Sequence, residues 1–306
     1  MGTTRWDDSK WSAYSSFTSA KSADTIFVSR GLHEDLDPKK ITIRESRDSI
    51  ENPNSTPIIV GFDVTGSMGM IPEYFVKTGL GKFFTEVLDR KPVSDPHLMV
   101  MGIGDFNFDR APLQVSQFEA DLTIADQLEK VYLEGGGGNN DSESYDMAVY
   151  FAAYHTTTDC FEKRGKKGYL FTIGDEMAPS GTDKILVEKH TSDKVQSKVL
   201  FKDTLEAAER MYNVYHIIVA EGSYARRHLD AVKKSWTELL GQNAVVLDDY
   251  HSLSELLTSL IEINEGRDKD DVIKSWSGST AVAIASAVKG MTSKSATSTA
   301  GVVLFE

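Results

Sequence analysis

Three oxygen-bearing side chains, Asp63, Thr65 and Ser67, stand at alternate positions directly after the apolar, partly β-branched run Ile58-Ile59-Val60-Gly61-Phe62. One carboxylate with two hydroxyls suits a hard cation such as magnesium, which takes oxygen ligands in octahedral geometry and keeps several waters. Nothing in this loop suits a thiolate-seeking metal. A second polar group, Asn139-Asn140-Asp141-Ser142-Glu143-Ser144, follows the four glycines Gly135 to Gly138. A glycine run of this kind lets backbone approach a ligand and permits positive φ. A third group, Gly174-Asp175-Glu176, closes the apolar run Tyr169-Leu170-Phe171-Thr172-Ile173.

The elements that must hold these groups can be read from periodicity. The run before Asp63 reads as a buried strand, broken by Gly66 and Gly69. Ile71, Tyr74, Phe75, Thr78, Phe83, Phe84, Val87 and Leu88 then form a broad helical stripe, with Pro72 tolerable in its first turn. In an open α/β sheet this strand, loop and helix would put a ligand site at the carboxyl end of the strand. The helix amino terminus would face it, favouring a carboxylate ligand. Further strands are expected at His97 to Gly104, Lys167 to Gly174, Tyr215 to Val219 and Ala244 to Leu247, with Pro112 to Phe118 as a short hairpin partner. Leu122, Ala125, Leu128 and Val131 suit a helix, and Asp141 or Ser142 would cap another at Tyr145 to Tyr154. Ser252 with Glu255 reads as a capping box ahead of Leu253, Leu256, Leu257, Leu260 and Ile261. Lys40 to Ser46 alternates as an edge strand would, and Arg44 and Arg47 are expected in structural salt bridges. His216, inside an apolar strand, reads as a satisfied core or rim histidine.

Composition limits the function classes. Forty per cent hydrophobic and 26% charged residues in 306 is ordinary for globular chains. The net charge of -13 disfavours nucleic acid and favours a basic or cationic partner surface. No apolar run reaches the length of a membrane span, and the first residues lack the apolar core of a signal peptide. With the single Cys160, this makes a cytoplasmic location the expectation. Trp6 and Trp11 suggest that residues 1–54 pack as an extension on the core; residues 55–265 would form the main domain. Residues 266–306 would add a helix near 279–291 and a flexible tail, ending in the apolar Gly301-Val302-Val303-Leu304-Phe305-Glu306. That end could pack on its own domain or add a strand to a partner.

Asp63-Val64-Thr65-Gly66-Ser67 resembles the D-x-[ST]-x-S metal-ion-dependent adhesion site of von Willebrand factor A (vWA) domains, and the resemblance spans about residues 55 to 265. It implies a Rossmann-like α/β fold with an open, mostly parallel central sheet and helices on both faces. By the same resemblance Thr65 and Ser67 would bind Mg2+ directly, with Mn2+ or Ca2+ as alternatives, and Asp63 and Asp175 would hold metal-bound waters. The family's glycine-rich loop usually supplies a threonine. None follows the glycines here, and the loop is closer to the GGGD-x-x-E variant of vWA domains associated with alpha-kinases. Asn139, Asp141, Ser142 and Glu143 are the candidates, with Asp141 and Ser142 foremost.

An ion with so few anionic ligands stays electrophilic and would accept an Asp or Glu of a partner protein. The chain would then be a non-enzymatic interaction module, similar to stand-alone bacterial and phage vWA proteins, some of which work with MoxR-type AAA+ ATPases. One alternative is a structural or assembly component of a phage or bacterial complex. Another is a magnesium-dependent phosphohydrolase with Asp63 as nucleophile and Asp105 and Asp109 as its acidic motif. Thr65 opposes that reading, because it stands where those enzymes need an aspartate acid. Asp105 and Asp109 are better read as a rim pair or turn caps. The glycines are not a nucleotide loop, since no Gly-Lys-[Ser/Thr] follows.

Overall fold

The computed structural model describes residues 29–135 and 142–292. Trp6, Trp11, Asn139, Asp141 and the 301–306 end lie outside the described residues. Ten strands are found among those described: β1 (Arg44–Ser46), β2 (Thr56–Asp63), β3 (Pro96–Ile103), β4 (Leu113–Val115), β5 (Thr156–Thr158), β6 (Gly168–Gly174), β7 (Gly181–Thr182), β8 (Val199–Leu200), β9 (Tyr212–Val219) and β10 (Ala244–Leu247). Six of them form the central sheet, in the order β10-β9-β6-β2-β3-β4. All its pairs are parallel except β3 with β4. This is the expected Rossmann-like α/β architecture with one antiparallel edge strand.

Period-two alternation along β2 divides the interior. Ile58, Val60 and Phe62 enter one apolar cluster, shared with the helices Leu80–Arg90 and Leu253–Asn264. Ile59 enters the other, shared with the helices Tyr145–Tyr154, Phe201–Ala208 and Ala225–Leu240. Gly61 and Asp63 continue the Ile59 side, so the Asp63 carboxylate emerges on the face covered by Tyr145–Tyr154. That helix is buried from Tyr145 through Ala152, apolar nearly all round because it lies between the sheet and Phe201–Ala208.

The order of strands also fixes where a site can be. From β2 the chain goes to β3 on one side, and later places β6 on the other, so the loops after β2 and β6 leave the sheet in different directions. Such a switch point opens a crevice at the carboxyl ends. Phe62 pairs with Ile173, which brings Asp63 and Asp175 to adjacent strand ends.

Several local expectations change in the structure. Lys40–Ser46 yields only the three-residue β1, which pairs with β5 outside the central sheet. The reason lies in Arg47, which bonds Asp159 at 2.9 Å, Glu162 at 2.5 Å and Thr157 Oγ1 at 2.9 Å, pinning the segment beside β5 as a structural salt-bridge network. Arg44 instead donates to the carbonyls of Asp35 and Val115. The capping box at Ser252 does not form: Ser252 makes no side-chain cap bond, and Glu255 pairs with Lys82 at 2.5 Å. The first helix is not uniform, since a π-helical turn, Phe75–Gly79, separates Ile71–Tyr74 from Leu80–Arg90. Beyond residue 265, the helices Lys269–Lys274 and Gly278–Ala287 pack on the sheet's first cluster through Val272, Ile284, Val288 and Met291. Arg90 lies over the Trp276 ring at 4.1 Å. Among the described residues no helix is long and apolar enough to cross a membrane.

Candidate metal centre

The three alternate residues after β2 converge as their spacing predicts. Asp63 Oδ1 accepts the Thr65 N–H at 2.8 Å and the Thr65 hydroxyl at 2.6 Å. Thr65 Oγ1 lies 3.2 Å from Ser67 Oγ, and Ser67 donates to Asp175 Oδ1 at 2.7 Å. Two loops separated by more than a hundred residues thus meet in one continuous oxygen cluster of two carboxylates and two hydroxyls. Asp63 and Asp175 are fully buried, and no described Lys, Arg or His makes an ion pair with either. Burial, and then the neighbouring Asp175 charge, push the Asp63 carboxyl up to about 7, against hydrogen bonds from Thr65 and Tyr145. Buried carboxylates without a counter-ion are costly. A hard divalent cation would supply the missing charge, and this donor set fits one.

Two elements that sequence reasoning missed complete the cluster. Tyr145, at the start of its helix, donates its hydroxyl to Asp63 Oδ2 at 2.9 Å. Its reach depends on Gly174, where a Cβ would collide with that hydroxyl. The ring is held edge-on by His216 and Trp236, which stack on each other at 3.5 Å. His216 is buried as expected but only half satisfied, with Nδ1 2.8 Å from Thr172 Oγ1 and Nε2 without a hydrogen-bond partner among the described residues. The loop after β9 is the second missed element. Tyr224 N–H donates to Asp175 Oδ2 at 2.8 Å and Ser223 N–H to the Ser67 carbonyl at 2.9 Å. A Cβ at Gly222 would run into the Asp175 side chain, so a glycine is needed for this close approach. Gly174 carried a signal, sitting at the end of the apolar strand β6, but nothing local named its partner, and Gly222, beyond the end of β9, carried none.

Of the glycine run only Gly135 is among the described residues, and it lies beside the loop after β2. Gly135, at φ 61°, brings its N–H within 3.5 Å of the Val64 carbonyl. Ser142 donates to the Glu143 carbonyl at 3.1 Å and lines a neighbouring cavity. Glu143 is 3% exposed, and its Oε2 has no hydrogen-bond partner among the described residues. Burial, with the Asp63 charge as the next cause, pushes Glu143 up to about 10. Asp105 and Asp109 act as turn caps: Asp105 N–H donates to Asp109 Oδ2 at 2.7 Å, and Asp105 Oδ1 accepts from Asn107 N–H at 2.7 Å.

No family model matches the sequence, and no curated protein matches it. Solved structures with a similar shape include the pilus adhesin SpaC from Lactobacillus rhamnosus GG, at 9% identity over 76% of this chain and 32% of that one, TM-score 0.45. Another is the von Willebrand factor type A protein from Catenulispora acidiphila, at 15% identity over 70% and 44%, TM-score 0.41. A third is proximal thread matrix protein 1 from the mussel byssus with a zinc-occupied MIDAS motif, at 11% identity over 72% and 48%, TM-score 0.37. The chain spans about a third to a half of the length of these three proteins. Its own central sheet is an open, mostly parallel α/β sheet with the Asp63-Val64-Thr65-Gly66-Ser67 loop after β2.

Proposed function

We propose that the chain is a metal-dependent protein-interaction module that holds Mg2+ through Thr65 and Ser67, with Asp63 and Asp175 orienting its waters. The observation that supports this best is the unbroken oxygen cluster Asp63–Thr65–Ser67–Asp175, with no described cation paired to its carboxylates. The metal would supply an electrophilic position for an Asp or Glu of a partner protein. The chain's own residues fix its direction: Tyr145 holds the second Asp63 oxygen, while the backbone of Ser223 and Tyr224 clamps Ser67 and Asp175.

The phosphohydrolase reading is less well supported. Asp63 is 0% exposed, with one oxygen held by Thr65 and the other by Tyr145. A nucleophile needs an open line of attack on its substrate. Here both oxygens serve as positioned acceptors.

The test is a thermal melt of chelator-treated protein with and without magnesium or manganese, with a phosphatase assay on the same preparation. A ligand at a hundred times its dissociation constant stabilises by about 2.7 kcal/mol. A metal-dependent rise that vanishes in Asp63→Ala, without turnover, is expected. An unchanged metal response in that variant removes this loop from the site, and turnover lost in Asp63→Asn restores the enzyme reading.

A further inference from the structure

Two cavities open at the amino ends of β2, β3 and β6, at the end of the sheet opposite the metal cluster. The larger, about 520 Å³, is lined on its apolar side by Phe84, Val87, Leu88, Val93, Pro96 and Ala120. Its size falls in the range of small-molecule sites, about 300–1,000 Å³. The smaller, about 200 Å³, is lined by Lys91, Arg164, Lys166 and Lys167, with Glu265 as the acid in its described lining. Asn54, Lys91, Val93 and Ser94 line both, so the two are compartments of one cleft with a common wall.

That wall is fixed at both ends. Lys91 N–H donates to the Val87 carbonyl at 3.0 Å, closing the helix Leu80–Arg90, and Thr56 N–H donates to the Asp95 carbonyl at 3.0 Å, tying the loop to the start of β2. Asp95 Oδ2 accepts the Asn54 N–H at 2.9 Å. Lys91 and Asp95 hold φ of 49° and 36°, a region that residues other than glycine seldom enter. The charges on the smaller compartment are poorly balanced. Arg164 bonds Asp48 at 2.7 Å and the Ser55 carbonyl at 2.8 Å, and Glu265 accepts from the Tyr169 hydroxyl at 2.5 Å. Lys91, Lys166 and Lys167 make no ion pair among the described residues. Like charges gathered around a small cavity repel one another, and an anion between them offsets the repulsion.

We infer that this cleft binds a small phosphomonoester, whose apolar or aromatic body fills the larger compartment while its phosphate meets Lys91, Lys166 and Lys167. Lysine ammoniums are compact point charges that suit phosphate oxygens, and a phosphomonoester carries about -1.5 to -2 at neutral pH. The larger compartment has an apolar side for an uncharged body, with the Asn54 amide and the Ser94 hydroxyl beside it for a polar edge. The cleft is separate from the metal loop, since β2 carries Thr56 at one end and Asp63 at the other.

The probes are adenosine 5′-monophosphate and hexyl phosphate, titrated in chelator into isotope-labelled full-length protein and followed by backbone amide NMR. Adenosine, hexanol and inorganic phosphate are the controls. Shifts are expected at residues 52–54, 84–95 and 164–167, with at least one phosphomonoester binding about tenfold or more tighter than inorganic phosphate and than its own neutral body. The tighter of the two tells a nucleotide from an alkyl phosphate. Lys91→Gln and Lys167→Gln, both at exposed positions, should each weaken that phosphomonoester about tenfold. Val93→Asn should weaken it while leaving inorganic phosphate unchanged. Absence of shifts at the cleft with both phosphomonoesters overturns the inference. So does inorganic phosphate or the neutral body binding as tightly as the phosphomonoester, or binding indifferent to both lysine variants. Because no metal is present, failure here is separate from failure of the magnesium-dependent melt.

Discussion

The Tyr145 hydroxyl donates to Asp63 Oδ2 at 2.9 Å across 82 residues of sequence, in space that only a glycine at position 174 leaves open. In the proposed site this bond would orient the carboxylate that positions the metal's waters, and loss of such an outer hydrogen bond typically weakens metal affinity about 10- to 100-fold. Tyr145→Phe should therefore keep the fold and lower magnesium affinity within that range, measured by titration calorimetry. Wild-type affinity in the variant would reduce Tyr145 to a packing residue.

Gly222→Ala should act on the other side of the cluster. Its Cβ would displace Asp175 from the Ser67 hydroxyl, so the magnesium-induced rise in melting temperature should be lost or strongly reduced. If the variant melts like wild type with and without metal, the loop after β9 does not constrain the site.

The pH dependence has a definite sign. Burial holds Asp63 up to about 7 in the metal-free chain, against an ordinary value of 3.8. Between those values the folded state keeps a proton that the unfolded chain has released, so this group's contribution to stability falls as pH rises through the window. In chelator, the wild-type melting temperature should decline more steeply from pH 4 to pH 7 than that of Asp63→Asn. Saturating magnesium, which competes with the proton, should remove the difference. Parallel curves for the two proteins in chelator would contradict this account.

Arg47 offers a contrast away from the site. It bonds Asp159, whose side chain is 6% exposed, and also Glu162 and Glu45. Arg47→Ala should cost about 1–3 kcal/mol, because a nearly buried carboxylate loses a partner. Magnesium affinity should stay at the wild-type level. A matching loss of affinity would show that β1 and β5 are coupled to the cluster.

What could be read from the sequence was what local spacing encodes. Asp63, Thr65 and Ser67 announce themselves through alternation, and Asp175 through its place after an apolar strand. Tyr145 and the Gly222–Tyr224 turn were not legible, since both act through contacts made only after the sheet has brought distant segments together. Glu143 was one of four candidates, of which Asn139 and Asp141 lie outside the described residues, and spacing alone does not show that its Oε2 is buried without a hydrogen-bond partner among the described residues. The edge strand at Lys40–Ser46 was misplaced because the Arg47 network outweighs a weak alternation. The capping box failed for a similar reason, as Lys82 takes Glu255 from another helix.

The 2.7 Å bond between Ser67 and Asp175 also bears on how the chain folds. The two residues are 108 apart, and they meet only once β6 has docked on β2. Neither loop alone holds the full donor set, so an unfolded or half-assembled chain has little to offer an ion. An ion at this place would report that assembly is finished, and would join two halves of the chain as a removable clasp that a chelator opens without breaking a covalent bond.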